Sequence, residues 1–248
     1  MQIKNFIPNF ITLLNLLCGC IAVLFAVNNH FVTAALFVFL GIFFDFFDGL
    51  LARKLNAQSA IGLQLDSLAD MVTSGLVPGI ILYKLIALAV DAPAMSASSE
   101  WSLHWSGFSM AWIPIIGLFV TLASAYRLAK FNVDEEQQTY FKGLPTPANT
   151  LLIMSLPLIM EFQHSDAINA IILNQWFLIA LTLLSCYLLN SNIKLFALKF
   201  KDFTFKNNAL RYVFILLSLV LLIVLHFAGI PIIILLYIIL SLIQNNQN

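Results

Sequence analysis

Residues 43–70 run Phe43-Phe44-Asp45-Phe46-Phe47-Asp48-Gly49-Leu50-Leu51-Ala52-Arg53-Lys54-Leu55-Asn56-Ala57-Gln58-Ser59-Ala60-Ile61-Gly62-Leu63-Gln64-Leu65-Asp66-Ser67-Leu68-Ala69-Asp70. Asp45, Asp48, Asp66 and Asp70 sit in stretches otherwise apolar enough for hydrocarbon. A charged residue near the centre of a spanning helix costs ~3 kcal/mol, so four facing lipid unpaired oppose insertion by on the order of 10 kcal/mol. They must therefore face something cationic or wet. Neutral protonated pairs are the structural alternative, with only Arg53, Lys54 and Lys84 near in sequence as counter-charges.

Spacing says how the carboxylates are arranged. Residues three or four apart share a helix face, which puts Asp45, Asp48 and Gly49 on one stripe and Gly62, Asp66 and Asp70 on another. A short turn from Arg53 to Ser59 joins the two helices, so the sequence predicts an antiparallel hairpin with both stripes facing one cleft. Clustered like charges call for divalent cations. Hard ions such as Mg²⁺ or Mn²⁺ take carboxylate oxygens, and two of them bridged by shared aspartates make a clamp for phosphate oxygens. The expected substrate carries a phosphate or diphosphate.

The small and basic residues of the hairpin fit that chemistry, each with a plainer reading beside it. Gly49, Ala52 and Gly62 remove bulk beside the acids, which suits either a substrate or a closely packed helix. Arg53 is placed to hold a phosphate or ribose with its planar fork, or simply to anchor the helix in the cytoplasm. Ser59 reads as the N-cap of the following helix, where free N–H groups favour an anion.

The rest of the chain supports the membrane reading. It has 248 residues, 61% hydrophobic and 10% charged, far fewer charges than a soluble domain carries. Twelve Lys+Arg balance twelve Asp+Glu, so no basic surface exists to attract nucleic acid, and that class of partner is excluded. Cys18, Cys20 and Cys186 are scattered through apolar runs and read as core or lipid-facing residues. With about 20 apolar residues needed per crossing, roughly eight segments emerge: 9–27, 31–52, 60–84, 108–129, 145–162, 168–190, 210–227 and 230–244. The fold class is all-α, a polytopic membrane helical bundle forming a single domain over 1–248, with the catalytic hairpin at about 31–84. The first segment does not read as a cleaved signal peptide, because Lys4 is its sole basic flank and no small-x-small site follows.

Orientation follows from the positive-inside rule. Lys4, Arg53, Lys54, Arg127, Lys130, Lys142, Lys194, Lys199, Lys201, Lys206 and Arg211 fall at alternate ends of the segments, and of the twelve basic residues Lys84 alone falls on the other side. Both termini and the acidic hairpin's turn are thus expected in the cytoplasm. Asp91, Glu100, Glu161 and Asp166 fall in outer loops, as do His30, His104, His164 and His226 at or near that face. Trp101, Trp105, Trp112 and Trp176 read as interfacial anchors. The segment at about 193–209 alternates Lys199, Lys201 and Lys206 with Phe196, Phe200, Phe203 and Phe205, a pattern expected to lie on an anionic inner leaflet.

The pattern Asp45-x2-Asp48-Gly49-x2-Ala52-Arg53-x8-Gly62-x3-Asp66-x3-Asp70 resembles, without departure, the signature of the CDP-alcohol phosphotransferases. Further blocks narrow the resemblance to the bacterial integral-membrane branch that uses L-serine as acceptor. They are Ile7-Pro8-Asn9-Phe10-Ile11-Thr12 with Asn15, Asp66-Ser67-Leu68-Ala69-Asp70-Met71-Val72, Arg127-Leu128-Ala129-Lys130-Phe131-Asn132, and Gly143-Leu144-Pro145-Thr146-Pro147-Ala148. They span about the first 150 residues; the remainder resembles the family in hydropathy alone.

The resemblance implies two divalent cations, one held by Asp45, Asp48 and Asp66 and the other by Asp45, Asp66 and Asp70. It implies that Asp70 is the general base for an acceptor hydroxyl attacking the β-phosphorus of CDP-diacylglycerol as CMP leaves. It places Pro8, Asn9, Phe10, Ile11, Thr12, Gly49, Ala52, Arg53, Ser59 and Gly62 against the CDP-lipid. It further implies a homodimer in the bacterial inner membrane, its active site facing the cytoplasm. Serine brings a carboxylate, and Arg127, Lys130, Asn132 and Lys142 lie at the cytoplasmic depth where they could bind it, or act as positive-inside anchors. Competing readings are a family member using glycerol 3-phosphate or an inositol phosphate, a membrane polyprenyl transferase, and a divalent-cation or proton transporter.

Overall fold

The computed structural model describes residues 3–91, 102–105, 108–133, 141–196 and 205–245. Glu100, Trp101, Lys199, Phe200, Lys201 and Phe203 lie outside them. The described chain is all-helical apart from two small antiparallel ladders.

Helix α1 (Ile3–Val27) and α2 (Phe31–Lys54) form the first hairpin. Asn29 turns the chain at φ 61°, a left-handed conformation that asparagine tolerates. Ala22, Ala26, Ala34 and Ala35 are fully or almost fully buried between the two helices, and such small residues let backbones approach closely without a hydrophobic driving force from water. Asn56, also left-handed at φ 49°, turns the chain from α2 into α3 (Ala60–Asp70).

After Asp70 the helix widens into a π-helical stretch, Met71–Leu76, before resuming as α4 (Val77–Asp91). Strands β1 (Ser102–Trp105) and β2 (Phe108–Ala111) pair with each other, and a 3₁₀ turn at Ile113–Leu118 leads into α5 (Phe119–Val133). Strand β3 (Phe141–Lys142) pairs with β4 (Lys194–Leu195), and between them run α6 (Thr146–Gln163), α7 (Asp166–Ile172) and α8 (Gln175–Asn190). Helices α9 (Phe205–Leu225) and α10 (Gly229–Asn245) close the chain.

The core lies where α4 meets its neighbours: Ile81, Leu82, Leu85, Ile86, Ile153 and Leu178 are completely buried. Its exterior is as apolar as its interior, with Leu24, Phe46, Leu122, Leu183, Leu216 and Val224 exposed, as expected where lipid is the solvent.

Among the described residues five helical stretches are long and apolar enough to cross a membrane, or six when the bent pair α7 and α8 counts as one. That is fewer than the eight segments expected, for identifiable reasons. The expected segment 168–190 is split by a 59° bend, because the Asn174 side chain accepts from the N–H groups of Trp176 and Phe177 and starts a new helix. The expected segment 145–162, which becomes α6, is not among the five, whereas 108–129 begins as strand β2 and still counts as a crossing over Ile113–Val133. Residues 208–244 count as one stretch of 37 residues, about 55 Å if straight. The chain is not straight there: His226 takes φ 48°, and a Cβ added to Gly229 falls 2.7 Å from the Leu221 carbonyl oxygen. Helix α10 therefore folds back along α9, and Phe214 meets Tyr237 across the hairpin at 5.6 Å between ring centres. Phe196, expected at the lipid surface, is buried against both rings.

Candidate functional site

A cavity of about 470 Å³ opens where the start of α1, the end of α2, the Asn56 turn and the start of α3 converge. Of the residues the sequence assigned to a CDP-lipid, Pro8, Asn9, Thr12, Gly49, Ala52, Arg53, Ser59 and Gly62 line it, together with Asp48 and Asp66. Phe10 and Ile11 do not; Phe10 is 47% exposed on the outside of α1. Ala57, Gln58, Ala60 and Leu63 also line the cavity and were not anticipated. Their signal was positional, since they flank Ser59 in the turn that forms the cavity wall.

Ser59 caps α3 as expected, its hydroxyl accepting from the Gly62 N–H at 3.0 Å. The two glycines, which the sequence left open between substrate clearance and helix packing, separate. A Cβ on Gly49 would meet nothing within 4 Å, whereas one on Gly62 would come within 3.1 Å of both Asn9 Oδ1 and Ser59 Oγ. Gly49 gives open space to the cavity, and Gly62 packs.

The carboxylates converge at the inner end. Asp45, Asp48 and Asp66 present oxygens that all lie within 4.8 Å of one another. Asp70 lies outside that close group, though its charge acts on Asp45. Asp48 is 5% exposed, and Thr12 donates its hydroxyl to Asp48 Oδ2 at 2.5 Å. Asn15, fully buried, donates its amide to Asp70 Oδ1 at 3.3 Å. The donor set fits hard divalent cations: oxygen ligands only, carboxylates spaced closely enough to share an ion, and outer partners that fix their orientation.

Helix α1 thus touches the acids through one face. Pro8, Thr12, Asn15 and Gly19 are all buried and lie four, three and four residues apart, a single helical stripe. Sequence reasoning gave Asn15 no role of its own and read Thr12 as a lipid contact. The available signal was that stripe of small and polar residues in an otherwise apolar helix.

The residues expected to receive the acceptor divide into two groups. Arg127, Lys130 and Lys142 line one narrow recess with Asn190 and Ser191. Arg127 is 8% exposed, carries an Nε–H without a hydrogen-bond partner, and feels the Asp70 charge. Asn132 is engaged elsewhere, exchanging hydrogen bonds with Ser67 at 2.9 and 3.1 Å, which ties the end of α5 to α3 between Asp66 and Asp70. At the opposite end of the α1–α2 hairpin, Asn29, His30 and Glu161 line a separate cleft of about 260 Å³.

Residues 5–188 match the family model described as CDP-alcohol phosphatidyltransferase. The chain is 32% identical over 171 residues to the CDP-diacylglycerol–serine O-phosphatidyltransferase of Bacillus subtilis, covering 67% of this chain and 81% of that protein. Proteins of the same name in Methanocaldococcus jannaschii and Mycobacterium tuberculosis are 30% and 29% identical, over 67% and 63% of this chain. The matches span 66% and 50% of those relatives' own lengths. The chain belongs to the CDP-alcohol phosphatidyltransferase family. The matched residues include α1 to α5 and hence every carboxylate of the site; α9 and α10 lie beyond them.

Proposed function

We propose that this family member transfers the phosphatidyl group of CDP-diacylglycerol to the hydroxyl of L-serine, giving phosphatidylserine and CMP. The observation that carries the reading is the convergence of Asp45, Asp48 and Asp66 at a cavity of about 470 Å³ walled by Arg53 and Ser59. The serine acceptor is supported by the relatives' shared name and by the buried Arg127, which feels the charge of Asp70.

In this reading Asp45, Asp48 and Asp66 hold one divalent cation and Asp45, Asp66 and Asp70 a second, either Mg²⁺ or Mn²⁺. Bound there, the ions supply Lewis-acid neutralisation of the charge on the diphosphate. The protein's own groups do the rest. Arg53 and the capped start of α3 hold the diphosphate at the cavity wall, and the space beside Gly49 admits the nucleotide. Asp70 removes the serine hydroxyl proton while that oxygen bonds to the β-phosphorus. The bond from the β-phosphorus to the CMP oxygen breaks, and CMP leaves. Arg127, with Lys130 and Lys142 nearby, holds the serine carboxylate.

The same reading takes α6 as a crossing and α9 and α10 as two, which restores eight spans. Both termini and the cavity then face the cytoplasm of a bacterial inner membrane, because the basic residues gather at that end. The chain acts as one integral-membrane unit and pairs as a homodimer, as the family resemblance implies.

The test is acceptor-dependent CMP release. Purified protein with Mn²⁺ or Mg²⁺ releases CMP from CDP-diacylglycerol when L-serine is added and not in its absence. Release with glycerol 3-phosphate and none with serine overturns the acceptor and leaves the family standing.

A further inference from the structure

Buried between α1, α2 and the start of the π-helical stretch is a polar group with no part in the proposed reaction. Asn15 has no exposed surface, and neither has Thr73. The Asn15 Nδ2 donates to Asp70 Oδ1 at 3.3 Å, while its Oδ1 accepts the Thr73 hydroxyl at 2.8 Å. Thr73 Oγ1 also lies 3.2 Å from the Asn15 main-chain oxygen. Asp70 and Thr73, one turn apart, therefore grip the two ends of a single amide. With an unprotonated carboxylate on one side, the N–H end of that amide is the end that can face it.

The hydroxyl sits in space that two glycines leave open. A Cβ on Gly19 would fall 2.4 Å from Thr73 Oγ1, and one on Gly41 would fall 2.7 Å from Thr73 Cγ2 and 2.9 Å from Asn15 Oδ1. Two glycines on two helices thus clear the space that Thr73 and Asn15 fill together. Buried amides keep hydrogen-bond partners because leaving them unpaired is costly, and here the cheapest partner set includes Asp70.

We infer that Asn15, fixed by Thr73, is a positioning residue for Asp70. The inference rests on the proposed role of Asp70 as the base that takes the acceptor proton. Tethered at Oδ1, the carboxylate keeps one rotamer and offers Oδ2 to the hydroxyl. Without the tether it turns, and the productive geometry is populated for only part of the time. Substrate binding at the cavity, whose lining includes neither Asn15 nor Asp70, is untouched.

The experiment compares Asn15→Leu, Thr73→Val, Thr73→Ser and Asp70→Asn in the purified full-length protein, measuring kcat, KM for CDP-diacylglycerol and thermal stability. Asn15→Leu is expected to lower kcat by about 10–100-fold, the usual effect of losing a group that orients a site carboxylate, with KM within about twofold of wild type. Thr73→Val is expected to lower kcat in the same direction and Thr73→Ser, which keeps the hydroxyl, to restore it. Wild-type kcat in Asn15→Leu, or equal kcat loss in Thr73→Val and Thr73→Ser, overturns the positioning role. If Asn15→Leu does not fold, the Thr73 pair decides by the same criterion. Full turnover in Asp70→Asn sinks the base assignment itself, and the inference with it; an inactive Asp70→Asn beside a fully active Asn15→Leu sinks the positioning role alone.

Discussion

Thr12 on α1 donates its hydroxyl to Asp48 on α2, 36 residues later in the chain, and the same hydroxyl lies 3.1 Å from the Pro8 carbonyl on its own helix. A proton shared in this way fixes the orientation of the Asp48 carboxylate, which keeps lone pairs for a cation. Thr12→Val, which keeps the shape and removes the donor, is expected to weaken metal activation by about 10–100-fold. Thr12→Ser should stay near wild type. Titration of CMP release with Mn²⁺ after treatment with a chelator reads both, and the chelated protein itself should be inactive until the ion is returned.

The four aspartates are expected to differ in what they lose. Asp45→Asn removes a carboxylate that the cluster shares on both sides and should weaken CDP-lipid binding together with turnover. Asp70→Asn should abolish turnover while keeping more of the binding. Equilibrium binding of CDP-diacylglycerol alongside kcat separates the two, and the reverse order of binding would reject Asp70 as the base.

Glycines at different places should respond oppositely to a methyl group. Gly49→Ala enters open space and replaces a residue that weakens helices by about 1 kcal/mol, so stability should hold or rise. Gly49→Leu should raise KM for CDP-diacylglycerol by filling the cavity. Gly19→Ala drives a carbon to within 2.4 Å of Thr73 Oγ1 and 3.0 Å of its backbone nitrogen, and is expected to cost about 1–3 kcal/mol. Thermal unfolding in detergent and substrate kinetics distinguish them.

Arg127→Lys keeps the charge and loses the planar fork. It is expected to raise KM for serine by about tenfold or more while leaving KM for CDP-diacylglycerol within about twofold. A change confined to the CDP-lipid would move Arg127 out of the acceptor site.

The parts of this protein that were legible in its sequence are those whose signal is local. The aspartate hairpin declares itself because Asp45 and Asp48, and Asp66 and Asp70, are one turn apart in segments where acids are costly. Ser59 could be read as a cap from its neighbours alone. The contribution of α1 was not legible in the same way: Thr12 and Asn15 meet partners 36 and 55 residues away, and no spacing rule states which face of one helix turns toward another. Asn132 illustrates the converse. Its depth suited an acceptor ligand, yet its amide is taken by Ser67, a contact that only the crossing of α3 and α5 creates. Asn174 is legible too, since an asparagine before Gln175-Trp176-Phe177 is a helix-start signal in its own right.

The α1 stripe has an implication for how the enzyme is made. As ribosomes feed the chain into the bilayer, α1 arrives with a hydroxyl and an amide whose eventual partners, Asp48, Asp70 and Thr73, have yet to be synthesised. The acids that follow are likewise uncomfortable in oil until α1 is beside them. The polar partners of α1 are complete only when α2, α3 and the stretch that carries Thr73 lie beside it.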